Sequence, residues 1–341
     1  MRSFEVARSP VLRYILKKVT RYVVTLFVAF TLSFLFFRLI PGSPVRAFLQ
    51  SMRRQYGVYS VERNEIIDEY NRIFGLEGDL FTQYINYMQQ LLFHGNLGPS
   101  FLNFPTPSQV LIMRALPWTI GLLGLSTVIA WVLGNILGSI TGWKRGSKFD
   151  NIITPIALFV SQIPYYLLAI LLVLFFGYTL ALLPTKGAFD PQATDLAGYV
   201  WSLITHGTLP ALSIVLVSVS GWIISVRSLM VTVLGEDYIL YAYAKGLRGR
   251  RIWNRYALRS VLLPQVTGLA MSLGFIVNGT YLVEYMFTYP GIGRLFVTAL
   301  AYLDFNTIQG VVLMSIISVL TATLLIDLLY PLVDPRIRSG G

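Results

Sequence analysis

The sequence has 341 residues, of which 55% are hydrophobic and only 13% are charged; soluble proteins carry about 25% charged residues, so the composition indicates an integral membrane protein. The formal net charge of +11 would suit nucleic-acid binding, but several apolar runs of about twenty residues are typical of membrane spans, and nucleic acid is excluded as a partner. The sequence has no cysteine, which excludes disulfides and catalytic thiols. With only two histidines as well, it has very few residues that could form a histidine- or thiolate-based metal site.

The N-terminal segment is basic and leads into the first predicted span. Residues 1–21 carry six lysines and arginines against one acidic residue, and an uncharged run follows over 22–37. A basic flank before an apolar core also suits a signal peptide, but this core is long and no small-x-small cleavage site follows it. We therefore predict an uncleaved first span.

The next segment, residues 45–115, is polar and balanced in charge, with six basic and six acidic side chains. It is too long for a turn between two spans. Helices are predicted near 61–74 and 81–93, and the segment is interpreted as a small external subdomain.

The second apolar run covers residues 117–142. Gly134, Gly138 and Gly142 fall four residues apart and so line one helix face, where a second helix backbone can approach closely. Helix packing is the favoured interpretation of these glycines, ahead of a role in a pore.

The third apolar run, residues 152–183, is too long for one straight crossing. Pro164 is expected to kink or break it. A broken helix can expose backbone groups to a substrate path, so Gln162 and Pro164 are pathway candidates. A tilted helix with a packing kink is an equally good interpretation.

Three further apolar runs cover residues 209–226, 261–283 and 305–326, with a polar loop predicted at 184–208. Glu284 follows the fifth run and is a candidate for the outer mouth of a pathway. Four charged residues lie near span ends: Arg38, Arg227, Glu284 and Asp327. The default expectation is that their side chains extend to the membrane–water interface.

Charge distribution predicts the orientation of these six spans. The N-terminal segment, the loop 144–148, the stretch 227–259 and the C-terminal tail together hold 18 of the 27 lysines and arginines. Cytoplasmic loops carry the excess of positive charge, so both termini and the stretch 227–259 are predicted to be cytoplasmic. The predicted division is an N-terminal segment 1–21, a first span and exit 22–44, the external subdomain 45–115, a five-helix core 116–331 containing a cytoplasmic loop 234–260, and a tail 332–341.

The loop 234–260 is a polar, basic segment between two apolar runs. Glu236 and Asp237 lie where acidic residues favour a helix start, and Gly246 is a plausible stop or hinge. Five arginines follow before Pro264. The residues predict a short helix, a turn and a basic helix at a membrane surface, and anchoring to anionic lipid alone would also explain such a helix.

This segment resembles the EAA loop of membrane subunits of binding-protein-dependent ABC importers, in the form found in the dipeptide/oligopeptide permease family. The matching residues are Asp237-Tyr238, Ala242, Ala244-Lys245-Gly246-Leu247, Ala257-Leu258-Arg259 and Leu263-Pro264. The first-span exit Arg38 to Pro44, the turn Tyr289 to Gly293 and the ending Asp334 to Arg338 are also similar to that family.

The resemblance implies an all-α polytopic membrane protein with six transmembrane helices and the type I importer permease fold, in the cell membrane of a bacterium or archaeon. It implies a second homologous permease subunit, two ATPase subunits and an external solute-binding protein as partners. It further implies that the loop contacts an ATPase subunit through Glu236, Asp237, Tyr238, Ala242, Ala244, Lys245, Gly246 and Arg248.

The chain contains no phosphate-binding G-x-x-x-x-G-K-[ST] motif and no catalytic constellation. It is therefore predicted to be neither an enzyme nor a binder of cofactors itself, with ATP and Mg²⁺ held by the partner subunits. Peptide is the first substrate expected from the family, and oligosaccharides or nickel complexes are alternatives. An ion-coupled secondary transporter is less favoured, because it would need carboxylates at mid-membrane and usually an internal repeat.

Overall fold

The computed structural model describes residues 10–39, 45, 49, 64–276 and 281–333, and every regular element in these ranges is helical, which confirms the all-α prediction. Residues 1–9 of the N-terminal segment, residues 40–44 of the first-span exit and residues 334–341 of the C-terminal tail lie outside the described residues. The α-helices are α1 (Pro10–Leu39), α2 (Asn64–Ile73), α3 (Leu80–His94), α4 (Ser108–Trp143), α5 (Lys148–Ser161), α6 (Tyr165–Leu172), α7 (Leu196–Leu234), α8 (Asp237–Ala244), α9 (Gly249–Ile252), α10 (Leu258–Gly274), α11 (Tyr281–Met286), α12 (Ile292–Ala301) and α13 (Phe305–Val333). Two π-helical segments, Val173–Thr179 and Trp253–Ala257, extend α6 and join α9 to α10.

Within the described ranges, four helices are long and apolar enough to cross a membrane, and they lie in α1, α4, α7 and α13. The pair α5 and α6 makes a fifth candidate, bent by 103° at the break between Ser161 and Tyr165. The predicted break at Pro164 is thus observed. The predicted fifth run, 261–283, is divided between α10 and α11 with residues 277–280 outside the described part, so the count of six spans stays a prediction.

The polar loop predicted at 184–208 is shorter than expected, because α7 begins at Leu196. Asp195 caps this start: its backbone is extended and its side chain accepts a hydrogen bond from the Gly198 amide. Pro210, near which the sequence suggested that the span would start, lies inside the helix. The loop prediction was wrong because the apolar pattern marks the membrane-spanning part of a helix rather than its capped end.

The chain divides into two compact units, one formed by the described residues up to Trp118 and from Pro290 onward, the other by Thr119–Tyr289. The predicted boundary between an external subdomain at 45–115 and a core at 116–331 stays a prediction.

In the first unit, α1 packs along α13. Lys18 Nζ lies 2.7 Å from Asp327 Oδ2, and the hydroxyls of Tyr22 and Thr321 are 2.9 Å apart. Asp327 therefore forms an ion pair with Lys18, and the expectation that it reaches to the interface stays a prediction.

The start of α13 is tied to the segment before α4 by the buried carboxylate of Asp304. This carboxylate accepts hydrogen bonds from the Ser100 hydroxyl, the Leu102 amide, and both the amide and the hydroxyl of Thr307. The Thr307 hydroxyl also lies 3.1 Å from that of Ser108. Because a buried carboxylate is costly unless its oxygens accept hydrogen bonds, this network fixes the connection in place.

In the second unit, α7 is the central helix, packed by α5, α6 and α10. The glycines of α4 face it: a Cβ on Gly134 would meet Trp222, a Cβ on Gly138 would meet Ile223 and Val226, and a Cβ on Gly142 would meet Met230. Only residues without a side chain allow the two backbones to come this close.

Candidate coupling segment and helix-break cavity

The short helix α8 has well-defined ends. Its N-cap, Glu236, has extended backbone angles, and Asp237 in the first turn complements the positive end of the helix dipole. At the other end Gly246 has a φ of +70°, its amide donates to the Tyr243 carbonyl at 2.9 Å, and the Leu247 amide donates to the Ala242 carbonyl at 3.3 Å. This pair of bonds is the Schellman motif, which favours glycine at the left-handed position, so Gly246 ends the helix as the sequence suggested.

One face of α8 is buried. Ile239 and Ala242 belong to an apolar cluster with Val226 and Met230 of α7 and with Ile252, Ala257 and Val261 of the following helices. Ala242 is only 3% exposed. With Ile239 it forms an inward-facing i, i+3 pair that helps to hold the helix in place. Its expected position at the contact with an ATPase subunit stays a prediction, which cross-linking of an Ala242→Cys variant tests.

The opposite face of α8 is exposed and aromatic. Tyr241 is 70% exposed, and Tyr238, Leu240 and Tyr243 are also exposed. Large apolar side chains gathered on the surface of a short helix are typical of a protein interface. Leu240, Tyr241 and Tyr243 were missed by the sequence analysis, and the signal that would have found them is their position between the inward-facing Ile239 and Ala242.

The remaining predicted coupling residues lie around this face. Glu236 and Asp237 are exposed at its start, and Ala244, Lys245, Gly246 and Arg248 are exposed at and beyond its end. Tyr238 Oη donates to Ser260 Oγ on α10 at 3.0 Å. We name residues 236–248 the coupling segment. The coupling segment is thus joined to α7 and α10 by its buried apolar face, and to α10 also by the hydrogen bond of Tyr238.

A cavity of about 680 Å³ lies in the second unit at the break between α5 and α6. None of its lining residues carries a formal charge, and they fall into hydroxyl-bearing, aromatic and aliphatic groups. The hydroxyl-bearing residues are Thr127, Ser161, Tyr165, Ser218, Ser225 and Ser272, and the larger rings are Trp222 and Phe275. The hydroxyls of Tyr165 and Ser218 are 3.3 Å apart. The cavity can therefore offer hydrogen bonds and stacking surfaces without selecting for charge.

The predicted pathway residues have different positions relative to this cavity. Gln162 is exposed and donates to Ser161 Oγ at 3.2 Å, and Pro164 is the N-cap of α6, so both are adjacent in sequence to lining residues. Glu284 is 1% exposed and accepts a hydrogen bond of 2.8 Å from Thr119 Oγ1. Glu284 is thus a buried, hydrogen-bonded carboxylate in this chain, and its position at the outer mouth of a pathway stays a prediction.

Comparison with known proteins decides the family. Residues 134–339 match the model for the inner membrane component of binding-protein-dependent transport systems. The dipeptide transport system permease protein of Escherichia coli K12 is 30% identical, with 96% of this chain and 99% of that protein aligned. The oligopeptide transport system permease protein of Bacillus subtilis 168 is 29% identical, with 95% of this chain and 99% of that protein aligned.

The chain belongs to this permease family. It is a multi-pass inner membrane component of an ABC importer, as the resemblance implied, and it is a permease subunit rather than an enzyme. Binding-protein-dependent transport implies an ATPase and a substrate-binding protein as partners. The alternative of an ion-coupled secondary transporter has no support. The cytoplasmic position of both termini stays a prediction.

Among the residues that the structure describes, no group of three histidines and carboxylates is placed to hold a metal ion.

Proposed function

We propose that this permease subunit forms half of the translocation pathway for di- or oligopeptides. The observation that carries the proposal is the near full-length match to relatives that are named for peptide transport. The helix-break cavity supports it, because a peptide main chain needs both donors and acceptors of hydrogen bonds. Hydroxyl groups supply both, and an uncharged lining accepts peptides whatever the charge of their side chains.

The second half of the pathway would come from a homologous permease subunit. Two ATPase subunits would bind ATP and Mg²⁺, and the external solute-binding protein would deliver the peptide. In this arrangement the permease needs no nucleotide site of its own.

The coupling segment would dock on an ATPase subunit through the aromatic face of α8. Tyr241 and Leu240 lie at the centre of that face, with Lys245, Gly246 and Arg248 at its end. Because Ile239 and Ala242 pack against α7 and α10, a displacement of α8 would be passed to helices of the second unit. ATP-driven closure of the ATPase pair would thereby change access to the pathway.

Reconstitution of the whole importer tests the proposed substrate. The permease, its partner subunits and the binding protein are placed in vesicles, and ATP-dependent uptake of labelled dipeptides, longer peptides, an oligosaccharide and a nickel complex is compared. We expect uptake of peptides alone. Uptake of the oligosaccharide or the nickel complex without uptake of peptide would overturn the assignment, while leaving membership of the family intact.

A further inference from the structure

A second groove lies beside the coupling segment and is not used by the proposed transport cycle. It has a volume of about 700 Å³ and runs along the helices that follow Gly249. Arg251, Arg255 and Arg259 line its first part. They are spaced four residues apart, so they follow one side of the helix from α9 through the π-helical segment into α10.

The three arginines are exposed, and they form no ion pair within the part of the chain that the structure describes. The ion pairs found there join Lys18 to Asp327, Arg72 to Glu77 and Arg227 to Asp150, and no hydrogen bond to a carboxylate involves the arginines of the groove. Like charges four residues apart on a helix repel one another. A bound anion would remove this repulsion and accept several charge-assisted hydrogen bonds.

The far part of the groove is apolar. Leu262, Leu263 and Val266 line it, and Leu263 is 61% exposed. The groove thus changes along α10 from three positive charges to aliphatic side chains. α10 itself packs along α7, one of the helices long enough to cross a membrane. A soluble anion would leave the aliphatic part uncovered, whereas a ligand with an anionic head and a hydrocarbon tail would cover both parts.

We propose that this groove binds an anionic phospholipid. The phosphate would lie against Arg251, Arg255 and Arg259, and an acyl chain would follow Leu263 and Val266. The opposite side of the same helices carries Ile252, Ala257 and Val261, which pack beneath α8. A lipid in the groove would therefore brace the base of the coupling segment, and transport would depend on the anionic lipid content of the membrane.

Lipid binding to the full-length chain tests the proposal. The purified protein is titrated in detergent with phosphatidylglycerol or with zwitterionic phosphatidylcholine, and bound lipid is counted by native mass spectrometry. Each arginine near a membrane surface contributes about 1 kcal/mol to anionic lipid binding, so Arg255→Gln and Arg259→Gln should each weaken phosphatidylglycerol binding about fivefold. Arg250→Gln, in the same turn but outside the groove, is the matched control and should change nothing.

Two further arms separate the possible ligands. Inorganic phosphate is added as a competitor of phosphatidylglycerol, and we expect it to compete weakly. Leu263→Ser should weaken phosphatidylglycerol binding but leave the affinity for inorganic phosphate unchanged. If inorganic phosphate binds as tightly as the lipid, or phosphatidylcholine binds as well as phosphatidylglycerol, the lipid proposal is overturned. Arg255→Lys and Arg259→Lys keep the positive charge and should retain most of the binding, so they serve if a glutamine variant does not fold.

The last part of the test uses the assembled importer. We expect phosphatidylglycerol to stay bound when the ATPase subunits are present, and stimulated ATPase activity to fall in vesicles made of phosphatidylcholine alone. Displacement of the lipid by the ATPase subunits would show that the groove is a protein contact and would overturn the proposal. Failure of peptide uptake in the reconstitution above would leave lipid binding by the isolated chain unaffected, so the two proposals fail independently.

Discussion

Arg227 of α7 binds the carboxylate of Asp150 with two of its nitrogens, Nε at 2.5 Å from Oδ1 and Nη2 at 2.9 Å from Oδ2. Asp150 also accepts hydrogen bonds from the Gly146 amide and the Thr154 hydroxyl. Because Arg227 follows Val226 of the cluster beneath α8, this pair joins α5 to the part of α7 that supports the coupling segment. The two residues lie 77 positions apart in sequence, and the expectation that Arg227 reaches to the interface stays a prediction.

We predict that Asp150→Asn destabilises the protein by about 2 kcal/mol. The substitution removes the negative charge and turns one of the two oxygens that accept from Arg227 into an NH2 donor. The loss for a fully buried ion pair would be larger, but Arg227 is 27% exposed. Thermal unfolding in detergent measures the loss. A double-mutant cycle with Arg227→Gln should show that the two losses do not add.

Lys148→Gln is the control for this pair, since Lys148 is exposed in the first turn of the same helix. It should leave the unfolding temperature unchanged. Additive effects of Asp150→Asn and Arg227→Gln would contradict the view that the two residues act together.

Gly246→Ala should reduce substrate-stimulated ATPase activity of the assembled importer while leaving membrane insertion intact. A Cβ at this position would meet nothing within 4 Å, so the effect would come from the backbone, whose left-handed conformation costs a residue with a side chain about 1 kcal/mol. Gly246→Arg should lower activity further, because it adds a bulky charge beside the exposed face of α8.

Gly235→Ala is the matched control for Gly246. Gly235 precedes the coupling segment, has a φ of −84° and would place a Cβ no closer than 3.4 Å to its nearest neighbour. Equal loss of activity in both variants would mean that any change near α8 disturbs coupling, and would remove the special role of the helix end.

Gly138→Ala should destabilise the second unit. Its Cβ would lie 2.7 Å from the carbonyl oxygen of Ile223 and 2.7 Å from the Cβ of Val226, so α4 and α7 would have to separate; overpacking of this kind costs about 1–3 kcal/mol. Gly121→Ala, on the same helix with nothing within 4 Å, should be neutral or slightly stabilising. An unfolding temperature for Gly138→Ala equal to that of Gly121→Ala would contradict the packing role.

The helix-break cavity can be probed with single cysteines, because the natural chain has none. Ser218→Cys and Ser272→Cys in the reconstituted importer should react with a water-soluble thiol reagent, and transported peptide should slow that reaction. Lys144→Cys, in the exposed loop before α5, should react at the same rate with and without peptide. If peptide does not change the reaction rate at Ser218→Cys and Ser272→Cys, the pathway lies elsewhere.

Local signals predicted much of the structure. The break at Pro164 and the stop at Gly246 follow from backbone restrictions that one residue imposes. The burial of Ala242 and Glu284 could not be predicted in this way, because whether a side chain faces inward depends on helices distant in sequence. A family motif identifies functionally important residues, but it does not distinguish residues that hold a helix in place from residues that contact a partner.

Cross-linking of α8 to the ATPase subunit tests the central claim, that this permease is driven through the exposed face of the coupling segment. Tyr241→Cys and Ala242→Cys are introduced separately, and the assembled importer is treated with ATP and with a reagent that has one thiol-reactive end and one photoreactive end. Tyr241→Cys should cross-link to the ATPase subunit with a yield that changes on ATP binding, and Ala242→Cys should not cross-link. Equal cross-linking at both positions, or none at Tyr241→Cys in a complex that hydrolyses ATP, would contradict this account of coupling.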